Sequence, residues 1–230
     1  MHLLAVYRRL YGRYGPQHWW PGDDPLETIV GAILTQNTAW GNVDKALSNL
    51  KAANALSMER IRELPQEELA SLIRPSGYFN TKARKLRAFA QHLWERYDDD
   101  LGKFLGRDME TLRRELLSIY GIGDETADDI VLYAAHKPSF VIDAYTRRIM
   151  LRLGVVPERD RYSAFQALFH EHLDRDTQLF NEYHALLARH AKETCRKRPL
   201  CGACCLLSVC PTGSRWLAHQ RSDQSQPKSS

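Results

Sequence analysis

Cysteine is absent from residues 1–194 of this 230-residue chain, and all five cysteines lie between residues 195 and 210. A disulfide framework places its cysteines in distant segments, so this crowding excludes disulfides as staples of the fold. The chain also lacks an apolar run long enough to span a bilayer. Its short apolar start is followed at once by Arg8, Arg9 and Arg13, which is unlike a secretory signal. We therefore expect a cytosolic protein without a membrane segment, whose thiols stay reduced.

Period-two alternation of apolar and polar residues is absent as well, whereas helical periodicity is widespread. The segment Asp24-Pro25-Leu26-Glu27 places an N-cap, a first-turn proline and a capping-box glutamate in order. Asp108 is placed to cap a later helix. These patterns predict an all-α fold of about ten to twelve short helices. The polar tail from residue 213 onward, rich in Ser and Gln, is predicted to be disordered.

Four of the cysteines, Cys195, Cys201, Cys204 and Cys210, follow the spacing C-x5-C-x2-C-x5-C, with Cys205 as an extra neighbour. Zinc sites are usually built from close pairs, and only one such pair is present. Four thiolates in one compact loop suit a [4Fe–4S] cluster better. Reduced cysteines without a metal are the third alternative, disfavoured because crowded thiols are reactive.

A glycine turn, Gly121-Ile122-Gly123, separates two helical patterns. Glycine tolerates positive φ, and the helix that follows such a turn starts with free backbone N–H groups that bind a phosphate. Further on, Asp143 follows three apolar residues and opens a helix, so on its own it is best interpreted as an N-cap.

The glycine turn, the V-I-D segment and the four-cysteine loop occur in this order in the helix-hairpin-helix DNA glycosylases of the endonuclease III type. The chain resembles that family over nearly its whole length. Residues 33–38 resemble the family's Q-x-T loop, and residues 77–83 resemble its G-x-x-N-x-K-A segment. The resemblance implies a six-helix barrel domain at 22–134 and a cluster domain formed by 1–21 and 135–212, with DNA between them and a disordered tail at 213–230.

The resemblance also implies roles for individual residues. Asp143 is the catalytic carboxylate, because breaking the N-glycosidic bond builds positive charge on the sugar. Gln36 fills the gap left by the flipped nucleotide and Tyr78 wedges against the opposite strand, although each could equally be an ordinary packing or surface residue. The other expected DNA contacts are Gly121, Ile122, Gly123, Lys82, Arg196, Lys197 and Arg198.

Glu125 departs from the pattern of the bifunctional members, which carry a lysine there and form a Schiff base with the sugar. A monofunctional glycosylase that uses water is therefore expected. Lys137 is an alternative amine, but nothing in its context supports it. Adenine glycosylases also lack the lysine, yet usually carry an additional C-terminal recognition domain in place of this chain's short polar tail.

The pattern G-I-G-x-E-(S/T)-A-D followed by V-(V/I)-D-x-Y resembles a subgroup that removes alkylated purines such as 3-methyladenine. Aromatic faces attract a cationic alkylated base, each contact contributing about 0.5–2 kcal/mol. The base pocket expected from this resemblance consists of Trp19, Trp20, Trp40 and Glu125. For any single tryptophan, a place in the core is the competing interpretation.

The expected partner is double-stranded DNA containing a damaged base, the expected cofactor a [4Fe–4S] cluster, and the expected state a monomer. The expected location is the cytosol of a bacterium or archaeon, in association with the nucleoid. Two alternatives stay open: an endonuclease III-like enzyme for oxidised pyrimidines with little or no lyase activity, and a non-catalytic DNA-binding module with a structural metal.

Overall fold

Helices make up the described part of the chain, and no strand occurs in it. The structure is a computed structural model that describes residues 3–19, 24–159 and 161–224, with side chains as far as residue 219. The helices are α1 (Leu3–Tyr14), α2 (Pro25–Leu34), α3 (Trp40–Ala52), α4 (Met58–Glu63), α5 (Gln66–Leu72), α6 (Phe79–Tyr97), α7 (Leu101–Leu105), α8 (Met109–Ser118), α9 (Asp124–Asp129), α10 (Ala144–Arg152), α11 (Tyr162–His172), α12 (Thr177–Glu193) and α13 (Pro211–Gln224). The all-α prediction is confirmed.

The chain divides into two compact units, one formed by Met1–Trp19 with Phe140–Ser230 and the other by Trp20–Ser139. Helices α2 to α9 belong to the Trp20–Ser139 unit. There α9 continues into a π-helical turn, Ile130–Ala134. Helices α1 and α10 to α13 belong to the unit formed by Met1–Trp19 and Phe140–Ser230.

The sequence signals for helix starts are realised in the Trp20–Ser139 unit. The side chain of Asp24 caps α2 by accepting from the Leu26 N–H, and Pro25 occupies the first turn. Asp108 likewise caps α8 by accepting from the Thr111 N–H. The apolar face of each helix packs into one continuous core, to which α2 contributes most of its residues.

An aromatic cluster forms the core of the other unit. The Phe140 ring stacks on Phe169 at 3.7 Å between centroids, and Tyr183 meets both rings edge-on. The Tyr183 hydroxyl donates to the Leu3 carbonyl oxygen, which ties α12 to the start of α1. Residues far apart in sequence are thereby joined around the segment that leads to Asp143.

Helix α13 differs from the disordered tail predicted from residue 213. Pro211 occupies its first turn, and the Ser214 N–H donates to the Cys210 carbonyl oxygen. A Cβ built at Gly213 would lie 3.2 Å from a Leu207 methyl carbon, so the helix start packs closely on the cysteine loop. Composition misses this local anchoring. Residues 225–230 lie outside the described residues. Across the described ranges, no helix combines the length and apolar character needed to cross a membrane.

Candidate functional site

The glycine turn joins α8 to α9 in the Trp20–Ser139 unit. Gly121 has a φ of +83°, in the left-handed region, and Ile122 is buried in the core. Gly123 is the N-cap residue of α9 and supplies no side-chain cap. Ile122 therefore anchors the turn, while the first N–H groups of α9 remain without a capping side chain.

A buried ion pair holds the two helices of this hairpin together. Arg113 of α8 donates from Nε and Nη2 to the two carboxylate oxygens of Asp128, at 2.8 and 2.9 Å. Asp128 is fully buried and also accepts from the Ser139 hydroxyl at 2.5 Å. The same Nη2 donates to Asp124 at the exposed start of α9. These contacts fix α8 relative to α9 and so fix the geometry of the turn between them.

Gln36, the expected gap-filling residue, is held against the hairpin. Its amide Nε2 donates to the Gly121 carbonyl oxygen at 3.2 Å and to the Thr126 hydroxyl at 2.9 Å. Its Oε1 accepts from the Lys85 ammonium group of α6. The aliphatic part of Lys85 passes over Gly121 at the place where a side chain would otherwise stand. Lys85 belongs to no motif, so the sequence alone does not predict this contact.

Lys82 and Tyr78 lie four residues apart in very different environments. The Lys82 side chain is 2% exposed, and its ammonium group donates to the carbonyl oxygens of Leu34 and Ser76 at 2.9 and 2.6 Å. The expected DNA contact of Lys82 does not match this interior position. Tyr78 is 73% exposed and has a φ of +46°, which is unusual for a tyrosine. Its ring is therefore presented to solvent from a strained backbone.

The residues expected to form a base pocket are distributed over both units. Glu125 is exposed in the first turn of α9, and Trp40 is partly buried against the core at the start of α3. Trp19 belongs to the other unit, where the Lys192 ammonium nitrogen lies 5.0 Å from its ring centroid. The Trp19 Nε1 is buried without a hydrogen-bond partner. Trp20 lies outside the described residues.

Asp143 is the N-cap of α10, as its context suggests. Its Oδ1 accepts from the Thr146 backbone N–H at 2.6 Å. Its Oδ2 lies 3.6 Å from the Nε2 of His184, which belongs to α12 and is almost fully buried. Burial opposes ionisation, but the interactions with His184 and the Thr146 N–H hold the pKa of Asp143 below its usual value.

His184 is a second residue that sequence reasoning missed. It stands in the middle of an amphipathic helix, in a pattern that gives histidine no special meaning. Its proximity to Asp143 arises only from the packing of α10 on α12.

Four of the five cysteines line one pocket. Cys195, Cys201, Cys204 and Cys210 share it with apolar and hydroxyl-bearing residues, and Arg152 forms part of its wall. Cys205 is not among the lining residues; burial raises the pKa of its thiol, and the charges of Arg13 and Arg9 of α1 act in the opposite direction. In the described ranges, no three His, Cys, Asp or Glu side chains form a group that could hold a single metal ion.

Two arginines of α10 hold the cysteine loop. Arg148 donates to the carbonyl oxygens of Ala191 and Cys195, and Arg152 donates to those of Cys195, Arg196 and Lys197. The Arg152 Nη1 also donates to the Cys195 Sγ at 3.2 Å. The loop backbone is thereby fixed.

The basic side chains of this loop face solvent. Arg196, Lys197 and Arg198 are exposed, directly beside the backbone that Arg152 holds. Arg196 also donates to the Lys192 carbonyl oxygen at 3.0 Å. A rigid backbone therefore carries three cationic side chains that are accessible from outside.

Comparison with known proteins shows which family the chain is similar to. Residues 30–175 match the HhH-GPD superfamily of base excision DNA repair proteins. A Methanocaldococcus jannaschii protein described as a DNA repair glycosylase is 43% identical over 210 residues, which cover 90% of this chain and 95% of that protein.

Solved structures agree on the fold. The 3-methyladenine DNA glycosylase MagIII of H. pylori, bound to 1,N6-ethenoadenine, is 27% identical with a TM-score of 0.71, over 84% of this chain and 98% of that one. A non-covalent endonuclease III–DNA complex has a TM-score of 0.81 at 20% identity, over 94% and 97% of the two chains.

Proposed function

The chain belongs to the HhH-GPD superfamily of base excision DNA repair proteins, and we propose that this DNA glycosylase is monofunctional and releases alkylated purines such as 3-methyladenine from double-stranded DNA. The observation that carries the proposal is Glu125, exposed in the first turn of α9 directly after the glycine turn. The bifunctional relatives resembled by the sequence carry a lysine at this position. A carboxylate cannot form the Schiff base that precedes strand cleavage.

Asp143 is the proposed catalytic residue. When the N-glycosidic bond breaks, its electron pair leaves with the base and positive charge develops on the sugar. An ionised carboxylate stabilises that charge and can accept a proton from the water that adds to the sugar carbon. The lowered pKa of Asp143, with Thr146 and His184 as partners, keeps the group ionised at neutral pH.

The substrate class rests on the charge of the base. Alkylation at a ring nitrogen makes a purine cationic and a good leaving group, so binding by aromatic faces can dominate its selection. The Trp19 ring already attracts a cation, the ammonium group of Lys192. The likeness to MagIII, solved with an etheno-purine, supports the same substrate class. Trp20, Trp40 and Glu125 are the other residues that the sequence resemblance implies for base recognition.

DNA contacts are proposed for both units. The α9 N-terminus with Gly121 and Gly123 would bind a backbone phosphate, while Gln36 and the exposed Tyr78 would enter the duplex where the nucleotide leaves it. Arg196, Lys197 and Arg198 would contact further phosphates. Lys82 is left out of this set, because its ammonium group points into the core.

We propose that Cys195, Cys201, Cys204 and Cys210 hold a [4Fe–4S] cluster, and their shared lining of one pocket supports this. Each thiolate of such a site binds a different iron, so the sulfurs surround the cluster and need not converge on one point. Two of them already accept N–H bonds, Cys195 from Arg152 and Cys210 from the Gly213 N–H at 3.3 Å. When bound, the cluster would hold the basic loop in place and take no part in bond cleavage.

A panel of duplexes tests the function. Single-turnover base release is measured on DNA containing 3-methyladenine, 1,N6-ethenoadenine, thymine glycol or undamaged bases. We expect release of the alkylated purines, its loss in Asp143→Asn, and no covalent adduct when borohydride is added. Release of thymine glycol alone would contradict the proposed substrate, and a trapped enzyme–DNA adduct would contradict the monofunctional reaction.

The second candidate is an endonuclease III-like glycosylase for oxidised pyrimidines. A Sulfolobus acidocaldarius protein described as endonuclease III favours it, with 31% identity over 185 residues that cover 80% of this chain and 80% of that protein. The thymine-glycol duplex distinguishes it from the first candidate.

A further inference from the structure

The two carboxylate oxygens of Asp143 have different partners. Oδ1 is fixed by the backbone N–H of Thr146, at the start of α10. Oδ2 faces the Nε2 of His184 across 3.6 Å, a distance at which an imidazolium and a carboxylate attract each other. A helix cap needs only one oxygen, so the capping role of Asp143 leaves the His184 contact unexplained.

The site works against ionisation of Asp143, because burial disfavours the charged form. A glycosylase that stabilises a cationic sugar needs that charged form. His184 is itself almost entirely buried, so its ring faces the carboxylate with little solvent screening between them.

The other charged and titratable side chains on α12 and on the helices around it interact with partners other than Asp143 or are exposed to solvent. On α10, Arg148 and Arg152 donate to the cysteine loop and Arg147 lies over the Phe165 ring. On α12, Glu182 accepts from the Gln17 N–H, Arg189 pairs with Glu193, His190 bonds to Tyr14 and Lys192 lies over Trp19. On α1, Arg8 is exposed, Arg9 donates to Ser208, Arg13 lies over Tyr14 and Tyr7 packs on Tyr183; on α11, His170 accepts from the Phe140 N–H.

We propose that His184 is the positioning residue of Asp143, holding the catalytic carboxylate ionised and fixing the direction of its Oδ2 oxygen. The inference rests on the proposed catalytic role of Asp143 and assigns the reaction a second residue, one that acts through the first. His184 is not expected to touch the substrate.

The pH dependence of single-turnover base release tests this assignment. In His184→Gln the interaction that favours the carboxylate is lost, so Asp143 protonates at higher pH. We expect the acid limb of the rate profile to move up by about one pH unit or more, since a nearby opposite charge shifts a carboxyl by about 1–3 units. The affinity for uncleavable lesion DNA should stay unchanged. His172→Gln is the matched control, because His172 is exposed at the end of α11 and bonds only locally.

A second measurement does not depend on how well His184→Gln folds. In Asp143→Asn the cap is retained, since asparagine caps helices as well as aspartate does. Removing the carboxylate that faces His184 Nε2 should change the NMR shifts of the His184 ring nitrogens at neutral pH, because the contact acts on both partners. Unchanged His184 ring shifts, or a His184→Gln profile that coincides with that of His172→Gln, would overturn the positioning role. Full base release by Asp143→Asn would instead overturn the proposed function.

Discussion

Gly121 holds a φ of +83°, and a Cβ at this position would overlap the side chain of Lys85. Gly123, two residues later, has a φ of −98°, and a Cβ there would meet no atom within 4 Å. The sequence shows two glycines around one isoleucine and does not distinguish them. Only the first depends on having no side chain, because it combines a left-handed backbone with a close neighbour.

Gly121→Ala should lower the free energy of unfolding by about 1–2 kcal/mol from the left-handed backbone alone. Displacement of Lys85 adds to this loss and releases Gln36 from its acceptor contact. Urea denaturation followed by circular dichroism measures the effect. Gly123→Ala is the control and should cost less stability, while its added methyl group should weaken DNA binding. Equal losses of stability in the two variants would contradict this account.

At the scale of single residues, the sequence predicts the position of a side chain when that position depends on residues nearby in the chain. Asp143 was predicted as a helix cap and occupies that position. The motif around Lys82 predicts a DNA contact, yet the Lys82 side chain is buried and donates to the carbonyl oxygens of Leu34 and Ser76. His184 and Lys85 were missed, because their partners Asp143 and Gln36 are remote in sequence and are reached only through helix packing.

Lys82 links two loops at the scale of elements. Its ammonium group joins the end of α2, which leads to Gln36, to the turn at Ser76, which leads to Tyr78. Burial, and secondarily the charge of Lys85, lowers the pKa of Lys82 from 10.5 to about 8. The folded state therefore releases this proton before the unfolded chain does.

Between pH 8 and 10.5 the unfolded chain binds more protons at Lys82 than the folded protein, so the free energy of unfolding should rise with pH. Below pH 8 the contribution is constant. Lys82→Met removes it, so the stability of the wild type relative to this variant should grow from pH 8 to pH 10. Lys45→Met, at an exposed position of α3, is the control and should show no such trend. Chemical denaturation at a series of pH values measures both, and parallel profiles would show that Lys82 is not perturbed.

Arg113 of α8 binds two aspartates of α9 that differ in burial. The pair therefore tests how burial changes the contribution of an ion pair to stability. Asp128 is fully buried, whereas the Asp124 side chain is 50% exposed. Asp128→Asn leaves the Arg113 charge poorly compensated and should cost about 3–5 kcal/mol. Asp124→Asn removes a solvent-screened contact and should cost less than about 1 kcal/mol. Thermal unfolding compares the two, and similar costs would contradict the role assigned to the buried pair.

Helix positions could be predicted wherever caps and apolar periodicity agree, as in α2 and α8. Helix α13 was not, because its sequence is polar and its start depends on contacts with Leu207 and Cys210. The general lesson is that composition describes a segment's preference in isolation. A short loop packed on its first turn can override that preference.

At the scale of the whole molecule, the net charge of +4 is mild and would not by itself indicate a nucleic-acid partner. For DNA binding, the distribution of positive charge over the surface matters more than the net charge. Arg196, Lys197 and Arg198 are concentrated on one loop, and the backbone of that loop is held by Arg148 and Arg152. The same loop carries the cysteines, so the proposed cluster site and the basic side chains share one segment of the chain.

The neighbouring thiols of Cys204 and Cys205 test which four cysteines hold the proposed cluster. Cys204 lines the pocket with Cys195, Cys201 and Cys210, whereas Cys205 does not line it. Cys204→Ser should therefore abolish the brown colour and lower the iron content of protein purified without oxygen, while Cys205→Ser should retain both. Since the cluster is proposed to hold the basic loop, Cys204→Ser should also weaken binding to undamaged DNA and flatten its salt dependence. A colourless wild-type protein containing zinc would contradict the cluster. Loss of iron in Cys205→Ser alone would show that Cys205, and not Cys204, is the fourth ligand. If Cys204→Ser lost iron but bound undamaged DNA at full strength, the loop would keep its shape through Arg148 and Arg152 without the cluster.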